Sequence, residues 1–120
     1  MSTKLSFFEI PASNFERAVE FYRNVFNWKI NIFGDENEMM GIFDLENISG
    51  AISFSNGFEP SKNGVLISVL VENIEDILKT TEENGGETNI PKTRIECEGK
   101  GYFAVFTDSE GNKIGLHSLK

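Results

Sequence analysis

The spacing of apolar residues changes period several times along the chain. Leu5 to Ile10 is rich in β-forming residues and is closed by Pro11, which predicts a strand. Phe15, Ala18, Val19, Tyr22, Val25 and Phe26 then recur at helical spacing, which predicts an amphipathic helix over about residues 14–26. Ser13-Asn14-Phe15-Glu16 before it fits a capping box, a hydroxyl followed three residues later by Glu. Trp28 to Phe33, Met39 to Asp44 and Ala51 to Ser55 read as three strands, parted by turn formers at Gly34-Asp35 and Asn47 to Gly50. Residues 56–64 collect Asn, Gly, Pro and Ser and read as a linker.

After the linker the pattern starts again. Val65 to Val71 is apolar except for Ser68 and predicts a well-buried strand. Ile74, Ile77, Leu78 and Thr81 mark a second helix, opened by Asn73 and stopped by Gly85-Gly86. Thr88 to Ile90, Tyr102 to Phe106 and Lys113 to Ser118 read as strands, with a Gly-containing loop at residues 97–101. The order strand, helix, three strands therefore occurs twice, which is an internal duplication. The expectation is an α+β fold of two βαβββ modules. Module one spans about residues 1–56, the linker about 57–63 and module two about 64–120, all within one domain of 120 residues. Each helix covers one face of its half-sheet, and the other face must be buried against something. A curved, cup-like mixed sheet with the helices outside satisfies that need.

Composition narrows the function. With 11 Lys plus Arg against 19 Asp plus Glu, the net charge is −8, the wrong sign for a nucleic-acid surface. Such acidity would attract a cationic small molecule, and it also simply keeps a protein soluble. A single cysteine, Cys97, excludes an internal disulfide and a Cys-cluster metal site. No apolar stretch is long enough to cross a bilayer and no signal-peptide pattern is present, so the expected location is the cytoplasm. There is no phosphate-cradling Gly-rich loop and no nucleophile elbow.

Five segments together resemble the vicinal oxygen chelate superfamily, which contains glyoxalase I, bleomycin-resistance proteins and extradiol dioxygenases. They are Phe8-Glu9-Ile10-Pro11, Arg17 to Tyr22 with Phe26-Asn27-Trp28, Val71 to Ile74, Asn84-Gly85-Gly86, and Asp108 to Leu116. The resemblance spans essentially the whole chain and is nearest to small single-domain proteins related to lactoylglutathione lyase. It implies two βαβββ modules forming a cup. It also implies a homodimer whose clefts each combine the first module of one chain with the second module of the other. Metal-dependent members place four His or Glu ligands on the strands facing the cup. By motif register these positions fall at Phe7, near Ile52, at or near Leu66 and at Gly115, none of which can coordinate a divalent ion. No cofactor is therefore expected. Replacement ligands would have to come from Glu9, Glu20, Asp44 or His117.

Strand alternation extends that register. Phe7, Glu9, Ile52, Phe54, Leu66, Ser68, Gly115 and His117 are then expected to face the cup, with Phe58 nearby. That is an apolar lining with Glu9, Ser68 and His117 as polar exceptions, as in small-molecule sites. Glu9 is either ion-paired to Arg17, Arg23 or Lys113, or free as a general base or ligand anchor. His117 is either an inert strand-end residue or the acid/base partner of Glu9 across the dimer cleft. Cys97 lies between Glu96 and Glu98, which disfavours a thiolate, and residues 97–101 are either a surface loop or a flap over the cleft. The leading expectation is a metal-independent protein that binds a small aromatic or cationic molecule. The alternatives are a lyase or isomerase using Glu9 and His117, or a metal enzyme with relocated ligands.

Overall fold

The computed structural model describes residues 2–120. Ten elements follow in the order β1 (Phe7–Pro11), α1 (Phe15–Phe26), β2 (Asn31–Asp35), β3 (Glu38–Asp44), β4 (Ser49–Phe54), β5 (Ser68–Leu70), α2 (Ile74–Glu83), β6 (Glu87–Arg94), β7 (Tyr102–Thr107) and β8 (Lys113–Ser118). They build two four-stranded sheets with the same arrangement, β1-β4-β3-β2 and β5-β8-β7-β6. In each sheet the strand before the helix runs parallel to the last strand, and the remaining pairs are antiparallel. The duplication in the sequence is thus a duplication of topology.

Both helices begin where an Asn supplies the cap. Asn14 Oδ1 accepts from the Arg17 amide at 3.1 Å, and Asn73 Oδ1 accepts from the Asp76 amide at 3.0 Å. The capping box expected at Ser13 is replaced by a longer-range device. Glu110 Oε1 accepts from the amides of Ser13, at 3.0 Å, and Asn14, at 2.7 Å. A carboxylate from the β7–β8 turn therefore does what Glu16 was expected to do. α1 ends at Asn27, whose backbone adopts the left-handed conformation with φ 59°.

The helices pack together on one side of both sheets, and the buried apolar residues form one continuous cluster. Aromatic rings carry it across the modules. Trp28 stacks on Phe43 at 4.1 Å and on Phe26 at 4.8 Å, and Phe21 reaches Phe106 at 6.0 Å. Tyr22 is fully buried at this junction and donates to Asp108 Oδ2 at 2.6 Å. Asn112 Nδ2 donates to the Pro11 carbonyl at 2.8 Å, a second tie between the modules.

Three strands differ from expectation. Residues 28–30 precede β2 as coil, because the Ile30 carbonyl turns to accept from the Arg23 guanidinium at 2.7 Å. The run Val65 to Val71 gives a strand of three residues only, at a sheet edge, and it is not well buried. Ile67, Val69 and Val71 pack on the core while Leu66 and Leu70 stay 49% and 65% exposed. β6 continues past Pro91 to Arg94, an outer strand with two register shifts, where proline is tolerated.

Candidate small-molecule site

Side chains on alternate residues of each strand either meet the helices or point away from them. The helix-free face of the first sheet carries Phe7 and Glu9 from β1, Ala51 and Ser53 from β4, and Met40 and Ile42 from β3, as the strand register requires. Phe7 remains 39% exposed and Phe33 on the outer strand 57% exposed. Glu9 Oε1 accepts from the Ser53 hydroxyl at 2.7 Å. No cation pairs with it among the described residues. Arg17 is held by Glu110 at 2.6 Å, Arg23 by the Ile30 carbonyl, and Lys113 lies on the other sheet. Of the two alternatives for Glu9 the ion pair is therefore not formed, and its carboxylate is exposed on that face.

The second position of the metal register is corrected by one residue. Ile52 pairs with Ile10 across the parallel strands and is 0% exposed in the core, so it faces the helices. Phe54, two residues on, packs on the same core side. Ala51 and Ser53 take the helix-free side instead. Phe54 and Phe58 do come together, in a separate depression of 320 Å³ with Ala12 and Pro60. That depression is outside both helix-free faces. Sequence reasoning missed Ser53, whose hydroxyl donates to Glu9; the β4 residues are buried on both faces, so their alternation carried no signal of it.

The helix-free face of the second sheet is built in rows. Ser68, Gly115 and Val105 lie side by side across β5, β8 and β7, and Leu70, His117 and Phe103 form the next row. Gly115 leaves room, and that room is filled: a Cβ there would sit 2.3 Å from Ser68 Oγ. Beside it a depression of 390 Å³ is lined by Ser68, Leu70, Phe103, His117, Ile95 and Lys100, among others. The loop of residues 95–101 forms its rim. The Ile95 amide donates to the Gly101 carbonyl at 2.9 Å, and Gly99 and Gly101 adopt φ of +79° and +83°. His117 Nε2 lies 2.6 Å from the Lys100 carbonyl. A carbonyl can only accept, so Nε2 carries the hydrogen and, in the neutral ring, Nδ1 is the acceptor. The histidine is thus tied to the loop and held in one tautomer.

The donors do not fit a metal ion within one chain. The register positions are Phe7, Ala51 or Ser53, Leu66 and Gly115, which offer at most one hydroxyl. Glu9 and Asp44 are on the first sheet, Glu20 on α1 and His117 on the second sheet. Among the described residues no group of three or more His, Cys, Asp or Glu is placed to hold an ion. Cys97 is an exposed free thiol in the 95–101 loop. No helix is long and apolar enough to cross a membrane among the described residues.

The same architecture occurs in solved structures. A fosfomycin resistance protein, FosX, from Listeria monocytogenes superposes with a TM-score of 0.75 at 16% identity, covering 98% of this chain and 92% of that one. A glyoxalase/bleomycin resistance protein from Albidiferax ferrireducens gives 0.75 at 16% identity, covering 97% and 98%. A glyoxalase family protein from Enterococcus faecalis gives 0.67 at 21% identity, covering 97% and 96%. These identities show a shared fold. The family model described as Glyoxalase/Bleomycin resistance protein/Dioxygenase superfamily matches residues 4–116. With that match over nearly its whole length and the duplicated βαβββ topology, the chain belongs to the glyoxalase/bleomycin resistance/dioxygenase superfamily.

Proposed function

We propose that the protein binds a small aromatic molecule without a metal, in a cleft formed where the first module of one copy meets the second module of another. The observation that carries this reading is the state of the two helix-free faces. Each keeps large apolar side chains in water around a few polar groups, Phe7 beside Glu9 with Phe33 on the opposite edge strand of one, Leu66 and Leu70 near Ser68 and His117 on the other. Exposed apolar surface of this kind marks an interaction site. Charge favours unlike faces meeting. Glu9, Glu38 and Asp44 all fall on the first face, so two copies of it would repel. The unpaired Glu9 carboxylate suits a ligand with a cationic or donor group.

A second reading, a lyase or isomerase with Glu9 and His117 as acid and base, draws support from the fixed tautomer of His117. Its Nδ1 is then preset to accept a proton, and the 95–101 loop becomes a positioning element.

The test is a thermal-shift screen of chelator-treated protein against divalent metals and a panel of aromatic amines, acids and neutral compounds. Binding to the folded state alone raises the melting temperature. The expected result is stabilisation by aromatic compounds, reduced in Glu9→Gln. Stabilisation by a metal alone would overturn the metal-free reading. Turnover of a stabilising compound that is lost in His117→Asn would favour the enzyme.

A further inference from the structure

We infer that the second sheet carries an anion-binding subsite, formed by Lys62 and Lys113 over an apolar floor, that accepts a small carboxylate with an apolar body. It extends the proposed cleft toward the linker, and every group in it belongs to one chain, so it does not depend on the two-copy arrangement.

A depression of 280 Å³ lies at the Lys113 end of the helix-free face, beyond Gly115 from His117. Val65, Leu66, Ile90 and Val105 make its apolar walls, and its charged lining residues are Lys62 and Lys113 alone. In a chain with a net charge of −8, a hollow whose charges are both positive is a local reversal of sign. Neither ammonium is ion-paired among the described residues, where the pairs formed are Arg17–Glu110 and Lys92–Glu75.

The two lysines are brought together by a fixed turn. The Ser61 amide donates to Asn112 Oδ1 at 3.1 Å, which fastens the linker beside the start of β8. Ser61 Oγ donates to the Asn63 carbonyl at 2.7 Å and accepts from its amide at 3.0 Å. Asn112 is buried and also held by Asp108, so the anchor is rigid. Lys62 follows the anchored Ser61, and Lys113 follows Asn112. A carboxylate between the two ammoniums would be held by charge-assisted hydrogen bonds while its body displaced water from Leu66, Ile90 and Val105.

The experiment is an amide NMR titration of the ¹⁵N-labelled full chain with phenylacetate, its neutral amide phenylacetamide, and the cation phenethylamine. Phenylacetate is expected to shift the amides of Gly64, Val65, Leu66 and Val105. The amide and the amine should bind roughly tenfold more weakly or worse. Lys62→Gln with Lys113→Gln should weaken phenylacetate by roughly tenfold, Lys113→Arg should retain it, and added salt should weaken it. Equal binding of phenylacetamide, unchanged binding in the double variant, shifts confined to Ser68 and His117, or no shift at all would each overturn the subsite. So would a Lys113→Gln variant that loses self-association but keeps phenylacetate. A chain that stays monomeric yet binds phenylacetate here defeats the two-copy cleft and leaves the subsite standing.

Discussion

Glu110 Oε1 takes the amides of Ser13 and Asn14, while Oε2 meets Arg17 Nε at 2.6 Å. One carboxylate thus caps α1 from the far end of the chain, where the helix dipole also favours negative charge. Burial pushes its pKa up, but hydrogen bonds from Arg17, the Asn14 amide and Ser109, with the Arg17 charge, outweigh that and hold it below its ordinary 4.5. A depressed folded-state pKa stabilises the fold above the ordinary value, and the stabilisation is lost as pH falls through the folded one. Glu110→Gln should therefore cost about 1 kcal/mol at neutral pH, a modest figure because Arg17 is half exposed. In urea titrations the gap from the parent protein should close as pH is lowered beneath 4.5. A gap that is independent of pH would show that the carboxylate's charge plays no part. Tyr22 is the buried counterpart of this clasp. Desolvation, then the Asp108 charge, raises its phenol pKa well above 10.0, so it stays a donor.

At the scale of elements, the close fit of β5 on β8 rests on Gly115. A methyl group there would meet Ser68 Oγ at 2.3 Å and the Ile67 carbonyl at 3.3 Å. Gly115→Ala should destabilise the protein by about 1–3 kcal/mol through this overpacking. Ser68→Ala alone should be near neutral, since Ser68 is exposed and its hydroxyl is the nearer obstacle. The double variant should recover part of the loss, a coupling of about 0.5–3 kcal/mol that a double-mutant cycle reads. Simple additivity would mean that β5 moves as a whole. The helices were legible in the sequence because the apolar period is clear in both and Asn73 marks the start of the second, while the cap of α1 was read at Ser13, one residue before Asn14. β4 was legible as a strand but not in its facing. Gly50-Ala51-Ile52-Ser53 is buried on both sides, so alternation gives no contrast, and the pairing of Ile10 with Ile52 decides it. β5 misled for the opposite reason: an apolar run normally means burial on both faces, yet here one face is left bare. Glu110 as a cap could not be seen, since it comes from 96 residues away.

The molecule as a whole is a flat body, 46 × 43 × 26 Å, with its helices on one side and bare sheet on the other. One continuous core cluster runs from Ile10 to Leu116, and Phe7, Phe33, Leu66 and Leu70 on the bare faces lie outside it. The duplication predicted two helix-free faces in need of cover; in the proposed dimer, which chain supplies the second wall of a cleft depends on how copies would pair, and a single sequence carries no direct record of that. Complementation decides it. Consider Glu9→Gln and His117→Asn copies, each weakening an aromatic ligand found by thermal shift, combined as a purified mixed dimer carrying two different tags. If Glu9 and His117 meet across chains, one cleft of the mixed dimer holds both substitutions and the other holds neither. Calorimetry should then show parent-like affinity at half the parent stoichiometry. If both residues act within one chain the mixed dimer gives a different result, and if only one of them touches the ligand the single-variant dimers do. A within-chain cleft leaves each site with one substitution and no parent-like binding at all. A role for Glu9 alone leaves half the sites intact in the mixed dimer, but then His117→Asn dimers bind as the parent does.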